Sequence, residues 1–102
     1  MAKGYWIARV DVTDPDGYKD YVAQNGPVFN KYGARFLVRA GQFQPKEGTA
    51  HRSRNVVLEF PDYATALACY ESPDYQRLVA LRAPYGVSDL VIVEGYDGPQ
   101  PG

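Results

Sequence analysis

The 102-residue chain has little of what most metal and nucleophilic sites are built from. It contains one cysteine, Cys69, and one histidine, His51. A single cysteine cannot form an intramolecular disulfide, and a single histidine cannot supply a two-histidine metal or haem site. Cys69 stands in a predicted helix among small apolar residues, which favours packing over nucleophilic chemistry. His51 falls in a polar loop, where a solvated side chain is expected. We therefore expect no metal and no cofactor.

An excess of charge and long apolar runs are also missing. Lysine and arginine number 11 and aspartate and glutamate number 12, so the formal net charge is −1. A nucleic-acid surface needs concentrated lysine and arginine, so no nucleic-acid partner is expected. The first residues hold no apolar run of signal-sequence length, and no later stretch approaches a membrane span. The sequence predicts a cytoplasmic protein without a membrane partner.

Three segments show the period-two alternation of β-strands, at residues 5–12, 35–40 and 55–60. In all three the even-numbered positions are apolar, and the odd-numbered positions mix apolar and charged residues. A fourth strand is predicted over 90–96 from its β-branched residues. Its inward face is ambiguous, because either Val91 and Val93 or Leu90 and Ile92 fit.

Two helices connect these strands. The first begins at residues 13–16, where Pro15 needs no amide partner, and ends at Gly33, with Pro27 expected to kink or divide it. The second begins after Pro61 and restarts at Ser72. The order predicts an α+β protein with the ferredoxin-like βαββαβ fold, a four-stranded antiparallel sheet and both helices on one face. Residues 1–96 form one domain, and residues 97–102 form a disordered polar tail.

The sheet face away from the helices is predicted to hold the site. Arg9, Arg39 and Glu59 could meet there across neighbouring strands, where two arginines would bind a carboxylate or enolate. A desolvated Glu59, with a raised pKa, is the candidate proton acceptor. The alternative is that these residues form cross-strand salt bridges at a dimer interface. Tyr75 and Arg82, seven residues apart on a helix, are candidates for the pocket mouth.

Several segments carry a family resemblance, namely residues 4–8, 32–39, 56–62 and 70–76 with Leu81-Arg82. They resemble a bacterial family known as domain of unknown function 1330, within the dimeric α+β barrel superfamily. One departure is Gly33-Ala34, where the family commonly has Gly-Gly. The resemblance implies a homodimer with a pocket between sheet and helices or within the barrel. It implies no activity, since the wider superfamily includes cofactor-independent monooxygenases, lactone isomerases, haem-degrading enzymes and proteins without known catalysis.

Three functions are open at this point. The first is a dimer that binds a small organic or anionic ligand on the open sheet face without chemistry. The second is a cofactor-independent enzyme, monooxygenase-like or isomerase-like, that acts on a small organic acid or aromatic compound by proton transfer. The third, an RNA-binding module, is disfavoured because the third strand offers Asn55, Val57 and Glu59 rather than aromatic rings.

Overall fold

The described strands form one antiparallel sheet with the helices packed on one side. A computed structural model describes residues 2–48 and 52–102, so the predictions for His51 fall outside the described residues. The elements are β1 (Gly4–Val12), α1 (Pro15–Lys31), β2 (Arg35–Arg39), β3 (Arg54–Phe60), α2 (Tyr63–Glu71), α3 (Pro73–Arg82) and β4 (Gly86–Glu94), with a 3-10 turn at Ala83–Tyr85. The strand order is β2-β3-β1-β4. The predicted ferredoxin-like arrangement, with β1 and β3 central, is confirmed.

The first helix begins where the sequence predicts. Asp14 accepts a hydrogen bond from Gly17 N at 3.2 Å, and Pro15 occupies the first turn, where no amide partner is required. The helix runs unbroken through Pro27 to Lys31, so of the two predicted effects, a kink or a division, the division is wrong. Val28 and Phe29, just beyond the proline, are buried in the core, and this packing outweighs one missing backbone hydrogen bond.

The second helical region is in two pieces, as predicted, and a buried serine joins them. Ser72 Oγ donates to Cys69 O at 2.7 Å and accepts from Tyr75 N at 3.2 Å. One hydroxyl therefore satisfies the end of α2 and the start of α3 together. The junction fixes the direction in which α3 leaves, and with it the placement of Tyr75 over the sheet.

The core between helices and sheet is centred on Trp6 of β1, which is 1% exposed. Its ring lies against Phe29, Phe60 and Tyr75 at centroid distances of 5.4, 5.2 and 4.8 Å. The indole Nε1 donates to Ala66 O at 2.9 Å, so the buried ring has no unpaired donor. One indole thus ties the central strand to α1, α2 and α3.

Strand β2 departs from the predicted alternation at Leu37. Phe36 pairs with Leu58 of β3, but Val38 then pairs with Val57, which marks a one-residue bulge. A one-residue shift sends the following side chains to the opposite faces of the sheet. Val38, 40% exposed, therefore lies on the open face. The predicted face of Val38, under the helices, is wrong.

Strand β4 begins at Gly86, four residues before the predicted start. Leu90 and Ile92 pair with Ala8 and Trp6 of β1, so they face the helices, which resolves the ambiguity of the sequence. The alternate positions Val87, Val91 and Val93 lie on the open face and are 50%, 54% and 41% exposed.

Candidate functional site

A cavity lies between the helices and the sheet, on the face opposite to the one predicted for the site. Its water-accessible volume is about 40 Å³, enough for a few water molecules or a very small ligand. The apolar part of its wall comes from Trp6, Ala8, Val10, Phe29, Phe36, Val56, Leu58 and Leu90, and the polar part from Tyr18, Tyr21, Asn25, Arg39, Arg54, Tyr75, Arg82 and Ser88. Among the described residues, the wall contains three arginines and no carboxylate, so its electrostatic potential favours an anion.

Helix α1 supplies one polar side of the cavity. Tyr18, Tyr21 and Asn25 are spaced by three and four residues, which places them on one helix face above the sheet. All three are buried, and Asn25 is only 5% exposed. None of these three residues was selected from the sequence.

Helix α3 supplies the opposite side through Tyr75 and Arg82. The Tyr75 and Tyr21 hydroxyls lie 2.6 Å apart and share a hydrogen bond between the two helices. Arg82 Cζ is 5.5 Å from the centre of the Tyr21 ring, and Arg82 Nη1 donates to Ser88 Oγ at 3.2 Å. Arg82 is half-buried and makes no ion pair with a carboxylate in the described residues. Its charge is therefore held in the cavity by neutral partners.

The tyrosine side chains that line the cavity are weaker acids than an exposed tyrosine. Burial raises the pKa of Tyr18, Tyr21 and Tyr75 above the ordinary phenol value. The nearby Arg82 charge acts in the opposite direction on each of them but does not outweigh burial. At neutral pH these side chains are protonated, so they can donate hydrogen bonds to an anion and are poor proton acceptors.

Two residues that line the cavity each contain a buried polar atom without a hydrogen-bond partner in the described residues, namely Arg54 Nε and Asn25 Oδ1. Leaving a buried polar atom unpaired costs about 1–3 kcal/mol. The sequence contained a signal for Arg54, because its even number places a charge on the face that carries Val56 and Leu58. A charged residue on an apolar strand face is unusual enough to indicate a site.

Arg39 lies at the exposed rim of the same cavity because of the β2 bulge. It pairs with Val56, a residue of the helix-covered face, and its Cζ is 4.2 Å from the centre of the Phe36 ring. The prediction that Arg39 lies on the open face is therefore wrong. Together Arg39, Arg54 and Arg82 surround the cavity with positive charge.

Glu59 and Arg9 lie on the open face, away from the cavity. Glu59 accepts from Arg35 Nε at 2.9 Å and from the Tyr5 hydroxyl at 3.1 Å. Tyr5 is opposite Glu59 in the sheet, and Arg9 is four residues farther along β1. The predicted meeting of Arg9, Arg39 and Glu59 is therefore wrong. The bulge in β2 turns Arg39 to the other face of the sheet, and Arg9 lies too far along β1 to reach Glu59.

A separate ion cluster holds one corner of the open face. Arg52 donates to Asp11 Oδ2 at 2.9 Å and to Asp89 Oδ2 at 2.8 Å, which joins β1 and β4 to the segment before β3. The Ser53 backbone amide, together with Arg52, holds the pKa of Asp11 below its usual value. These acids are satisfied by Arg52 and form no part of the cavity wall.

Cys69 is fully buried in α2, and burial raises the pKa of its thiol to about 12. A protonated, inaccessible thiol reacts slowly with electrophiles. We expect iodoacetamide at about pH 8 to leave the folded protein unmodified and to add one group in denaturant, as measured by mass spectrometry. Rapid labelling of the folded chain would contradict the packing role.

Within residues 2–48 and 52–102, no cluster of three or more histidine, cysteine, aspartate or glutamate side chains could hold a metal ion. No helix in that part of the chain combines the length and apolar character needed to cross a bilayer.

Comparison with known proteins identifies the family. A model of the family described as Domain of unknown function (DUF1330) matches residues 3–96. The chain belongs to this family. The sequence resemblance is thereby confirmed over nearly the whole DUF1330 chain. A comparison with curated proteins gave no match.

Solved structures support the fold of this DUF1330 chain. A protein of unknown function from Rhodopseudomonas palustris is 22% identical with a TM-score of 0.72, over 95% of this chain and 85% of that one. SnoaB, a cofactor-independent oxygenase from Streptomyces nogalater, is 12% identical with a TM-score of 0.66, over 99% and 97%. A dimeric ferredoxin-like protein of unknown function from Thermobifida fusca is 19% identical with a TM-score of 0.57, over 91% and 89%. These likenesses establish the fold.

Proposed function

We propose that the protein binds a small organic anion in the cavity between helices and sheet. The observation that carries the proposal is the cavity wall itself, where the described residues place Arg39, Arg54 and Arg82 and no carboxylate. An arginine that is partly removed from water is stabilised further by a countercharge, which an anionic ligand supplies. The aromatic rings around the arginines provide the apolar part of an organic ligand site.

The proposed ligand site lies on the helix-covered face of the sheet, whereas the sequence predicted a site on the open face. Arg39, Tyr75 and Arg82, which the sequence selected, all line the cavity. Arg9 and Glu59 do not line it, and any ligand role for these two stays a prediction about the open face.

The second candidate is a cofactor-independent enzyme that acts on a small organic acid or aromatic compound. The fold shared with the oxygenase SnoaB, and the phenol pair beside Arg82, favour it. Proton abstraction requires an acceptor, however, and the Tyr21 and Tyr75 phenols have raised pKa values. Glu59, the predicted acceptor, lies on the other face of the sheet. The cavity geometry therefore supports binding better than turnover.

A second copy of the chain is proposed to cover the open face. Ile7 of β1 lies between Val57 of β3 and Val91 of β4, which makes an apolar row across three strands. Exposed valines continue it along β4. Monomers rarely leave so much contiguous apolar surface in water. The dimeric Thermobifida fusca protein shows that this fold can assemble in pairs.

The binding proposal is tested by titration with propionate and with its neutral isostere propionamide. Trp6 is the only tryptophan and lines the cavity, so its fluorescence reports occupancy. We expect a saturable change with propionate and none with propionamide at the same concentrations, because the arginines select charge. An equal response to both compounds, or no response to propionate, would contradict an anion site.

A further inference from the structure

The positive charges of the cavity are concentrated at one end of it. On the helix-covered face Arg54 pairs with Val10, and Val10 pairs with Ser88, so these residues form one row across β3, β1 and β4. Arg82 reaches the same row from α3, where its Nη1 donates to Ser88 Oγ at 3.2 Å. The backbones of Arg54 and Ser88 are two strand spacings apart, about 10 Å. Two arginines therefore reach this end of the cavity from opposite sides of Val10.

A single phenol faces both of these arginines. The charges of Arg54 and Arg82 each act to lower the pKa of Tyr18, against the larger opposing effect of burial. Tyr18 extends from α1 and lines the same cavity. Both arginines are half-buried, and neither forms an ion pair with a carboxylate of the described residues. Two charges without a countercharge thus converge on one hydroxyl.

The acids nearest to this row lie on the other face of the sheet. Asp11 follows Val10 and Asp89 follows Ser88, and successive strand residues point to opposite faces. Arg52 binds both carboxylates at the open face. The described part of the chain therefore supplies no negative charge to the basic end. A ligand with one negative charge would balance only one of the two half-buried arginines.

The next row of the sheet is apolar. Val56 of β3, Ala8 of β1 and Leu90 of β4 are paired in register and line the cavity directly beside the basic row. The ring of Trp6 follows on the same face of β1. The carbon part of a ligand therefore has an apolar surface next to the charges, which inorganic phosphate would leave empty.

We propose that the ligand carries two negative charges on one head group, as a small organic phosphonate or phosphate ester does. This inference rests on the proposed function. The head group accepts hydrogen bonds from the guanidinium groups of Arg54 and Arg82 and from the Tyr18 hydroxyl, and its carbon substituent lies on the apolar row. A cavity of about 40 Å³ has little room for two separate carboxylates, which favours both charges on one group.

The test compares methylphosphonate with methanesulfonate on the full chain. The two ions have nearly the same tetrahedral shape, but the phosphonate reaches two negative charges in mildly alkaline buffer and the sulfonate keeps one. Affinities are measured by Trp6 fluorescence and by calorimetry. We expect the phosphonate dianion to bind at least about tenfold more tightly, because a second charge near two half-buried cations adds a large attraction.

The pH dependence separates ligand charge from ligand identity. Raising the pH through the second ionisation of methylphosphonate should tighten its binding, whereas the affinity for methanesulfonate should stay constant. The arginines stay charged over this range, and the Tyr18, Tyr21 and Tyr75 phenols, with raised pKa values, stay protonated. A parallel rise for both ions would assign the change to the protein and overturn the inference.

Arg54→Gln removes one of the two converging charges and is expected to abolish most of the preference for the phosphonate. Arg77→Gln is the matched control, since Arg77 is exposed outside the cavity, and it should retain the tenfold preference. Inorganic phosphate should bind more weakly than methylphosphonate, because it has no carbon group for the apolar row. If Arg54→Gln does not fold, the two ions and their pH dependence on the wild-type chain still decide the question.

The outcomes separate this inference from the function on which it rests. Equal affinities for the two ions, or binding of propionate alone, would overturn the doubly charged ligand and leave the anion site standing. A preference that survives in Arg54→Gln would overturn the role of Arg54, and phosphate binding as tight as methylphosphonate would overturn the role of the apolar row. Failure of propionate and both ions to bind the wild-type chain would overturn both proposals.

Discussion

Replacing Arg82 with glutamine is expected to weaken propionate binding roughly thirty- to hundredfold. Arg82 is half-buried and held by neutral partners, namely Ser88 and the ring of Tyr21. Its charge is therefore available to a ligand. Loss of a charge-assisted hydrogen bond in such a place costs about 2–3 kcal/mol. The dissociation constant is read from the Trp6 fluorescence titration.

Arg77→Gln is the matched control for this change. Arg77 lies on the same helix but is exposed, and its Nη1 donates to Gln24 Oε1 at 2.8 Å. The Arg77→Gln substitution removes the same charge from the protein at a position outside the cavity. The dissociation constant for propionate should therefore change by less than about twofold. Thermal unfolding of both variants checks that neither loses the fold. A comparable loss in Arg77→Gln would show that net charge, and not the cavity, attracts the ligand.

Replacing Ile7 with lysine is expected to convert a dimer into single chains. Ile7 is 40% exposed at the middle of the open face, beside Val57 and Val91. A two-fold interface would bury this lysine twice, and the nearby acids Glu59 and Asp89 already pair with Arg35 and Arg52, so association should weaken by at least about a hundredfold. Light scattering at micromolar concentration should give 11.3 kDa for the variant and twice that mass for the wild type.

Ala80→Lys is the control, because Ala80 is exposed on α3, on the helix side of the molecule. It adds the same charge and should leave the mass of the dimer unchanged. A monomer mass for the wild-type protein, or a dimer mass for the Ile7→Lys variant, would contradict the proposal that the open face is a dimer interface.

The topology could be predicted because the even-numbered residues of two strands are apolar over most of each strand. β1 keeps this alternation through its length and β3 keeps it from Val56 to Phe60, so Trp6 and Leu58 are buried as the pattern requires. The inward face of β4 could not be predicted, since both of its faces are apolar. Only the pairing of Leu90 with Ala8 decides it.

The site was predicted less well, and a single bulge accounts for much of the difference. One unpaired residue at Leu37 moves Arg39 from the open face to the cavity, and nothing in the composition of β2 signals it. Arg54 and Asn25 did carry a signal, since each is a polar residue on an otherwise apolar face. The ion pair of Glu59 with Arg35 follows from strand register, which a sequence does not provide.

The most direct test of the account is the location of a bound anion. Isotope-filtered nuclear Overhauser spectra of the labelled protein with propionate report which protein protons lie within about 5 Å of the ligand. We predict contacts from the propionate methyl group to the rings of Trp6, Tyr21 and Tyr75. Contacts to Ile7 and Val91 instead, or none to the three rings at saturating ligand, would contradict a ligand site beneath the helices.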